Sequence, residues 1–186
     1  NGVGVAGVNW HVTMVSTKFI GEGGIGFVSD EVAALDYLVD LKVRHGLNIV
    51  VTNNSYGGPE FSQAELDAIN NAAQHGMLTV AAAGNDGTDN DVTPTYPANY
   101  ECSTGGALGT NCVLAVAAID VRGELAGFSQ FGATTVDIAA PGVDIVSTFP
   151  GESYAQASGT SMAAPHVAGA LALCASMGNA TTPVAL

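Results

Sequence analysis

"SGTSMAAPHVAGALALCA", residues 158–175, sets a small Gly-Thr-Ser turn directly before a long apolar run. The pattern predicts a helix from Ser161 to about Ala175, with Pro165 in its first turn, where a missing N–H costs little. Two readings of Ser161 compete. Ser is among the best N-cap residues, and on this stretch alone a cap is the stronger reading. A Ser at that place also projects into the positive end of the helix dipole, beside free N–H groups that would favour a developing oxyanion. Which reading holds depends on what the rest of the chain brings to the same place.

The 186 residues are enough for one domain with a real core, and 47% apolar against 11% charged residues argues for a compact chain. Four Lys+Arg face 17 Asp+Glu, a formal charge of -13. That balance excludes nucleic acid and anionic membrane surfaces as expected partners, because both need a basic face. No apolar run is long enough to span a bilayer, and the start at Asn1 lacks the basic flank and apolar core of a signal peptide.

Short runs rich in Val, Ile and Ala read as strands at His11–Lys18, Asn48–Asn53, Leu78–Ala83, Val113–Ala118, Val136–Ala139 and Ile145–Thr148. Most are nearly continuous in apolar character, as strands covered on both faces are. Between them, Ser29–Arg44 puts Val32, Leu35, Leu38 and Val39 on one helical face and stops at Gly46. Ser62-Gln63-Ala64-Glu65 is a capping-box pattern opening a helix to Gln74, followed by Gly76. The alternation predicts an α/β fold with right-handed crossovers. Loops gather after the strands, at the sheet edge where α/β sites form: "GEGGIG", "SYGGPEF" and "GNDGTDND". No internal repeat or linker divides the chain.

Gly2-Val3-Gly4-Val5-Ala6-Gly7 matches G-x-G-x-x-G, but nothing precedes it and an alternating, strand-like stretch follows. A dinucleotide site needs the reverse order, so the glycines read as a turn. Asn85, in "AAAGNDG", would offer a side-chain N–H at the strand ends; alone it reads equally as a turn residue. Cys102 and Cys112 flank a Gly-rich loop and read either as a bridge in a secreted protein or as two free thiols. Cys174 reads as a small buried hydrophobe. No Cys/His cluster has zinc spacing.

Taken together, these segments resemble the subtilisin-like serine proteases. "GTSMAAPHVAGA" is similar to the family's serine motif, "AAAGNDG" to its oxyanion-asparagine motif, "NNSYGG" to its substrate-strand motif, and "FSQFGATTVDIAAPGVDIVST" to the segment before the serine. Order and spacing agree from Asn1 to about Gly178. The resemblance implies a three-layer, mostly parallel α/β fold, truncated at both ends, with residues 1–186 forming the last two-thirds of a catalytic domain. It makes Ser161 the nucleophile and Asn85 the oxyanion donor, aided by the Ser161 N–H. Gly24, Ile25 and Gly26 on one side and Ser55, Tyr56 and Gly57 on the other would pair with an extended peptide. Ala82, Ala83 and Gly84 would wall the pocket for the side chain before the scissile bond, and Thr160 flanks the nucleophile. Thr95 and Asp86 would lie near the pocket's base and rim, a Thr narrowing it and an Asp favouring a basic group. Asn1, Val3 and Val5 match part of a structural calcium loop, and Pro97, Asn99 and Asp120 a weaker second one, with ordinary turns as the alternative for both. No cofactor is implied for catalysis.

The family's triad runs Asp, His, Ser, and its Asp and His motifs belong before "NGVGVAG". They do not occur in these residues. His166 lies five residues past Ser161, about 140° around the helix and roughly 7.5 Å along it, so it is not the base. His45 and His75 precede glycines at helix ends and are expected to meet terminal carbonyls; His11 opens a strand. The expectation is a serine endopeptidase domain acting on protein or peptide substrates, monomeric, secreted, completed by an upstream segment or served by a propeptide, and nearly inactive as these residues alone. A peptide-binding or structural relative without catalysis is the alternative. Met162, beside the nucleophile, is an expected site of oxidative inactivation. Asn179-Ala180-Thr181 fits a glycosylation acceptor.

Overall fold

The computed structural model describes residues 4–102 and 112–177. Asn1, Val3 and the Asn179–Thr181 sequon lie outside them. Four parallel strands form the sheet: β1 (Val51–Asn54), β2 (Leu78–Ala82), β3 (Val113–Ile119) and β4 (Ile138–Pro141), side by side in chain order. Val51 pairs with Leu78, Thr79 with Val113 and Val116 with Ile138. Helices α1 (Val28–His45) and α2 (Gln63–Gln74) pack together on one face, while α3 (Thr160–Ser176) crosses the other and touches all four strands.

Alternation along the strands builds this three-layer arrangement. Ala81, Val113 and Ala115 join Leu35 of α1 and Ala68, Ile69 and Ala73 of α2. Their neighbours Val80, Ala82, Val116 and Ala118 turn the other way and meet Ala163, Ala164, Val167 and Ala168 of α3. Small side chains on both partners let α3 lie close to the sheet, so its N-terminus reaches the strand ends.

Local chemistry fixes the helices. Asp30 stands in the first turn of α1, and Lys42 and Arg44 in the last, each favourable to the helix dipole. At Gly46, φ is 70°, and the Leu47 N–H closes on the Leu41 carbonyl at 3.2 Å. Ser62 caps α2 by accepting the Glu65 N–H at 3.3 Å. The return bond of a capping box passes through a third residue. The Ser62 N–H donates to the Tyr100 hydroxyl at 3.0 Å, and that hydroxyl donates to the Glu65 carboxylate at 2.7 Å.

Several expectations are corrected. Residues 11–18 form no strand: among the described residues no neighbouring strand offers them ladder bonds, and Met14 is 87% exposed. The run at Asn48 enters the sheet only at Val51. Ile145–Thr148 does not join the parallel sheet. As β5 (Ile145–Phe149) it pairs antiparallel with β6 (Ser153–Ala157), through Pro150-Gly151-Glu152, where Gly151 and Glu152 both take positive φ. Cys174 is exposed rather than buried, because the last turns of α3 run past the sheet. His75 does meet a terminal carbonyl, its Nδ1 2.8 Å from the Asn71 oxygen, whereas His45 faces the Asp40 carboxylate at 3.9 Å.

Cys102 and Cys112 form a disulfide beside the α1–α2 core. Ile69 is fully buried in that core. Ile69→Ala should lower unfolding free energy by about 2–5 kcal/mol in urea titration, the range for a large buried side chain cut to Ala.

Candidate active site

At the C-terminal edge of the sheet, the loop after β2 meets the start of α3. Gly159, not Ser161, is the helix N-cap, so Ser161 is the second helical residue and Pro165 falls in the second turn rather than the first. The cap reading of Ser161 is therefore displaced by two residues. No i−4 carbonyl exists for the Ser161 N–H, so it stays free for a ligand.

Asn85 is held by the residue next to Ser161. Its side-chain oxygen accepts the Thr160 N–H at 2.8 Å and the Thr160 hydroxyl at 3.0 Å. The Thr160 oxygen in turn accepts the Gly84 N–H at 3.1 Å, and Thr160 is fully buried. With its oxygen committed, the Asn85 amide presents its Nδ2 hydrogens outward, without a partner among the described residues. Gly84 has φ of 116°, and a Cβ there would overlap the Gln130 side-chain oxygen. Only glycine fits.

Gln130 and Asn90 anchor this loop from below; both lie in segments quoted above, where no role was assigned to them. Gln130 Nε2 lies 2.7 Å from Asn90 Oδ1 and 3.0 Å from the Thr95 hydroxyl. Asn90 donates to the Ala83 carbonyl at 3.0 Å, and the Gln130 N–H to the Gly84 carbonyl at 3.0 Å. No sequence signal marks them, because only their burial shows that their bonds are internal.

Ser161 and Ser55 exchange bonds across 106 residues. The Ser161 hydroxyl donates to the Ser55 carbonyl at 3.2 Å, and the Ser55 hydroxyl donates to the Ser161 carbonyl at 2.9 Å. Four residues on from Ser161 is Pro165, which has no N–H to give to that carbonyl. Gly57 lies against Thr95 and Tyr96, where a Cβ would meet the Thr95 methyl at 3.1 Å, and Gly58 and Tyr96 pair as an isolated antiparallel bridge. Ser55, Gly57, Ala82, Ala83, Gly84, Asn85, Thr95, Thr160 and Ser161 thus share one place, and Asp86, next in the loop, is exposed.

Gly24, Ile25 and Gly26 lie on an exposed turn, closed by the Gly21 N–H on the Ile25 carbonyl at 2.9 Å. Phe19 links it to the other strand. Its ring fills the space a Gly26 Cβ would need and meets Tyr56 edge-on at 5.0 Å. Tyr56 donates to Glu31 at 2.6 Å. Burial pushes the Glu31 carboxyl up to about 8, and burial likewise raises the Tyr56 and Tyr100 hydroxyls.

His166 is turned away from the serine, its Nδ1 2.8 Å from the Met162 carbonyl oxygen. The side chains of the second calcium set are engaged within the chain. Asn99 uses its oxygen on the Thr95 N–H and its nitrogen on the Asn90 carbonyl. Asp120 is held by the Arg122 side chain and the N–H groups of Arg122 and Glu124, while Pro97 is buried after a cis peptide. Of the first set, only Val5 is described, and it is exposed. No group of three or more His, Cys, Asp or Glu side chains with metal-binding geometry occurs among the described residues.

The model of the Subtilase family matches residues 1–186. Subtilisin Savinase of Lederbergia lenta is 40% identical over 173 residues, covering 93% of this chain and 57% of that protein. A thermophilic serine proteinase of Bacillus sp. (strain AK1) is 40% identical over 179 residues, covering 96% of this chain and 40% of that protein. The crystal structure of a cold adapted subtilisin-like serine proteinase superposes with a TM-score of 0.71 at 32% identity, over 88% of this chain and 53% of the other. The chain spans about half the length of such relatives. Sequence and fold agree with the site geometry that the chain belongs to the subtilase family of serine proteases.

Proposed function

We propose that the chain carries the nucleophile, the oxyanion donor and the peptide-pairing strand of a serine endopeptidase, with the proton-transfer residues lying outside these 186. One observation carries this reading. Thr160 fixes the Asn85 amide so that its N–H groups are free beside the N-terminus of the helix bearing Ser161. The Ser161 oxygen attacks a peptide carbonyl carbon while its proton passes to a base. Asn85 Nδ2 and the Ser161 N–H take up the charge on the carbonyl oxygen. The amine leaves with the proton, and water hydrolyses the acyl-enzyme. The chemistry needs side chains and water alone.

Protein or peptide substrates fit the open edge at Ser55–Gly57, and the disulfide supports a secreted, oxidising setting. The non-catalytic alternative draws on one observation: the Ser161 hydroxyl donates to a backbone carbonyl, and none of the histidines His11, His45, His75 or His166 is bonded to it.

Fluorophosphonate labelling separates the two. Protein of natural length should label at Ser161, and Ser161→Ala should abolish it, while a chain of residues 1–186 should label far more slowly. Equal slow labelling of both would support the non-catalytic reading. Asn85→Ala should cut turnover by about 10²–10³-fold, a magnitude already measured for the oxyanion asparagine within this family. Thr160→Val should cost about tenfold through a misoriented Asn85, near the worth of one hydrogen bond, and Thr160→Ser should restore most of it in steady-state assays.

A further inference from the structure

Asp91 stands in an exposed stretch of the loop after β2, between Asn85 and Thr95. Its carboxylate is nevertheless committed to the chain. The N–H groups of Ala133, Thr134 and Thr135 donate to it at 2.9, 3.2 and 3.1 Å. The Thr134 and Thr135 hydroxyls add bonds of 3.0 and 2.7 Å. Three consecutive backbone donors around one carboxylate make an anion nest. Asp91 forms no ion pair among the described residues, so the nest alone meets its charge. The Thr135 hydroxyl foremost, and then the other donors, hold this carboxyl below the usual carboxylate range. Gly132 is fitted to the same seat: a Cβ there would overlap the Thr135 hydroxyl and stand 2.7 Å from the Asp91 carboxylate.

The seat joins two segments that both serve the site. Asn90, just before Asp91, donates its N–H to the Phe131 carbonyl at 2.6 Å and its side chain to the Ala83 carbonyl at 3.0 Å. Gln130, on the facing segment, holds the Gly84 carbonyl, the Asn90 side chain and the Thr95 hydroxyl. Between Asp91 and Thr95 the chain is tied only locally: the Val92 and Thr93 N–H groups return to the Asp89 carbonyl, and Val92, Thr93 and Pro94 are exposed. Asp91 is thus the outermost tie between the two segments before the loop turns back to place Thr95 against Gly57.

We propose that Asp91 is a positioning residue for the substrate pocket: seated in the turn at 133–135, it holds the loop between Asn85 and Thr95 against residues 130–135, so that Thr95 keeps its place as a wall for the side chain before the scissile bond. Asp91 acts through Thr95 and does not touch substrate. Released from the nest, the stretch from Asp91 to Thr95 keeps only its local bonds, and the wall loses its fixed position. A side chain that leans on the wall then binds less tightly, whereas a residue without a side chain has nothing to lose there. The inference rests on the proposed endopeptidase reading.

The test uses protein of natural length and two peptide substrates that differ only before the scissile bond, Leu in one and Gly in the other. kcat and KM are measured for both, with urea unfolding alongside. Asp91→Ala should raise the ratio of the Leu KM to the Gly KM by about tenfold, near the worth of one charge-assisted hydrogen bond. Asp91→Asn, which keeps one acceptor oxygen, should recover part of that change. Thr135→Val should shift the ratio in the same direction and Thr135→Ser should restore it; this second pair serves if Asp91→Ala does not fold. A tie that matters only for stability would lower the folded fraction, cutting kcat for both substrates alike and leaving the KM ratio where it was. That result overturns the proposal, as does an unchanged ratio in both Asp91→Ala and Thr135→Val. Failure of the unsubstituted protein to hydrolyse either peptide would instead remove the endopeptidase reading beneath it.

Discussion

The bond from the Thr160 N–H to the Asn85 oxygen holds the site together. It joins the loop after β2 to the start of α3, elements 75 residues apart in the chain. Everything around it serves that junction. Small side chains on β2, β3 and α3 bring the helix close enough to the sheet. Gly84 leaves room for Gln130, whose bonds set the height of the loop. Because the amide oxygen is committed, the orientation of Asn85 is settled before any substrate arrives. An oxyanion donor that needs no reorganisation during reaction is worth more than one that must turn.

The sheet was legible in the sequence where strands are covered on both faces. β2 and β3 begin at the expected Leu78 and Val113, since a continuous apolar run has only one favourable place. Elsewhere apolar content misled. Residues 11–18 have the alternation of a strand, but alternation specifies a face and not a partner. Ile145–Thr148 is β-prone, yet Pro-Gly-Glu just beyond it directs a local hairpin instead of a sheet crossover.

For the site, the motif residues were legible because each segment has an unusual composition at a fixed place: Asn in a Gly turn, Ser before an apolar helix. What supports them was not. Gln130 and Asn90 are ordinary polar letters until burial reveals that their bonds are internal. Glu31 and Glu65 read as acidic residues near helix starts, where a carboxylate normally faces water and the dipole. Only the packing of α1 against α2 takes them out of solvent.

Pro165 also acts by what it lacks. An ordinary residue there would send its N–H to the Ser161 carbonyl and close a helical turn on it. That carbonyl would then face two donors, and the Ser55 hydroxyl would compete with a backbone group that is always present. Proline removes the rival, so the Ser161 carbonyl is reserved for the Ser55 side chain, which comes from the segment after β1. The helix gives up an internal bond and gains a clasp between two halves of the site.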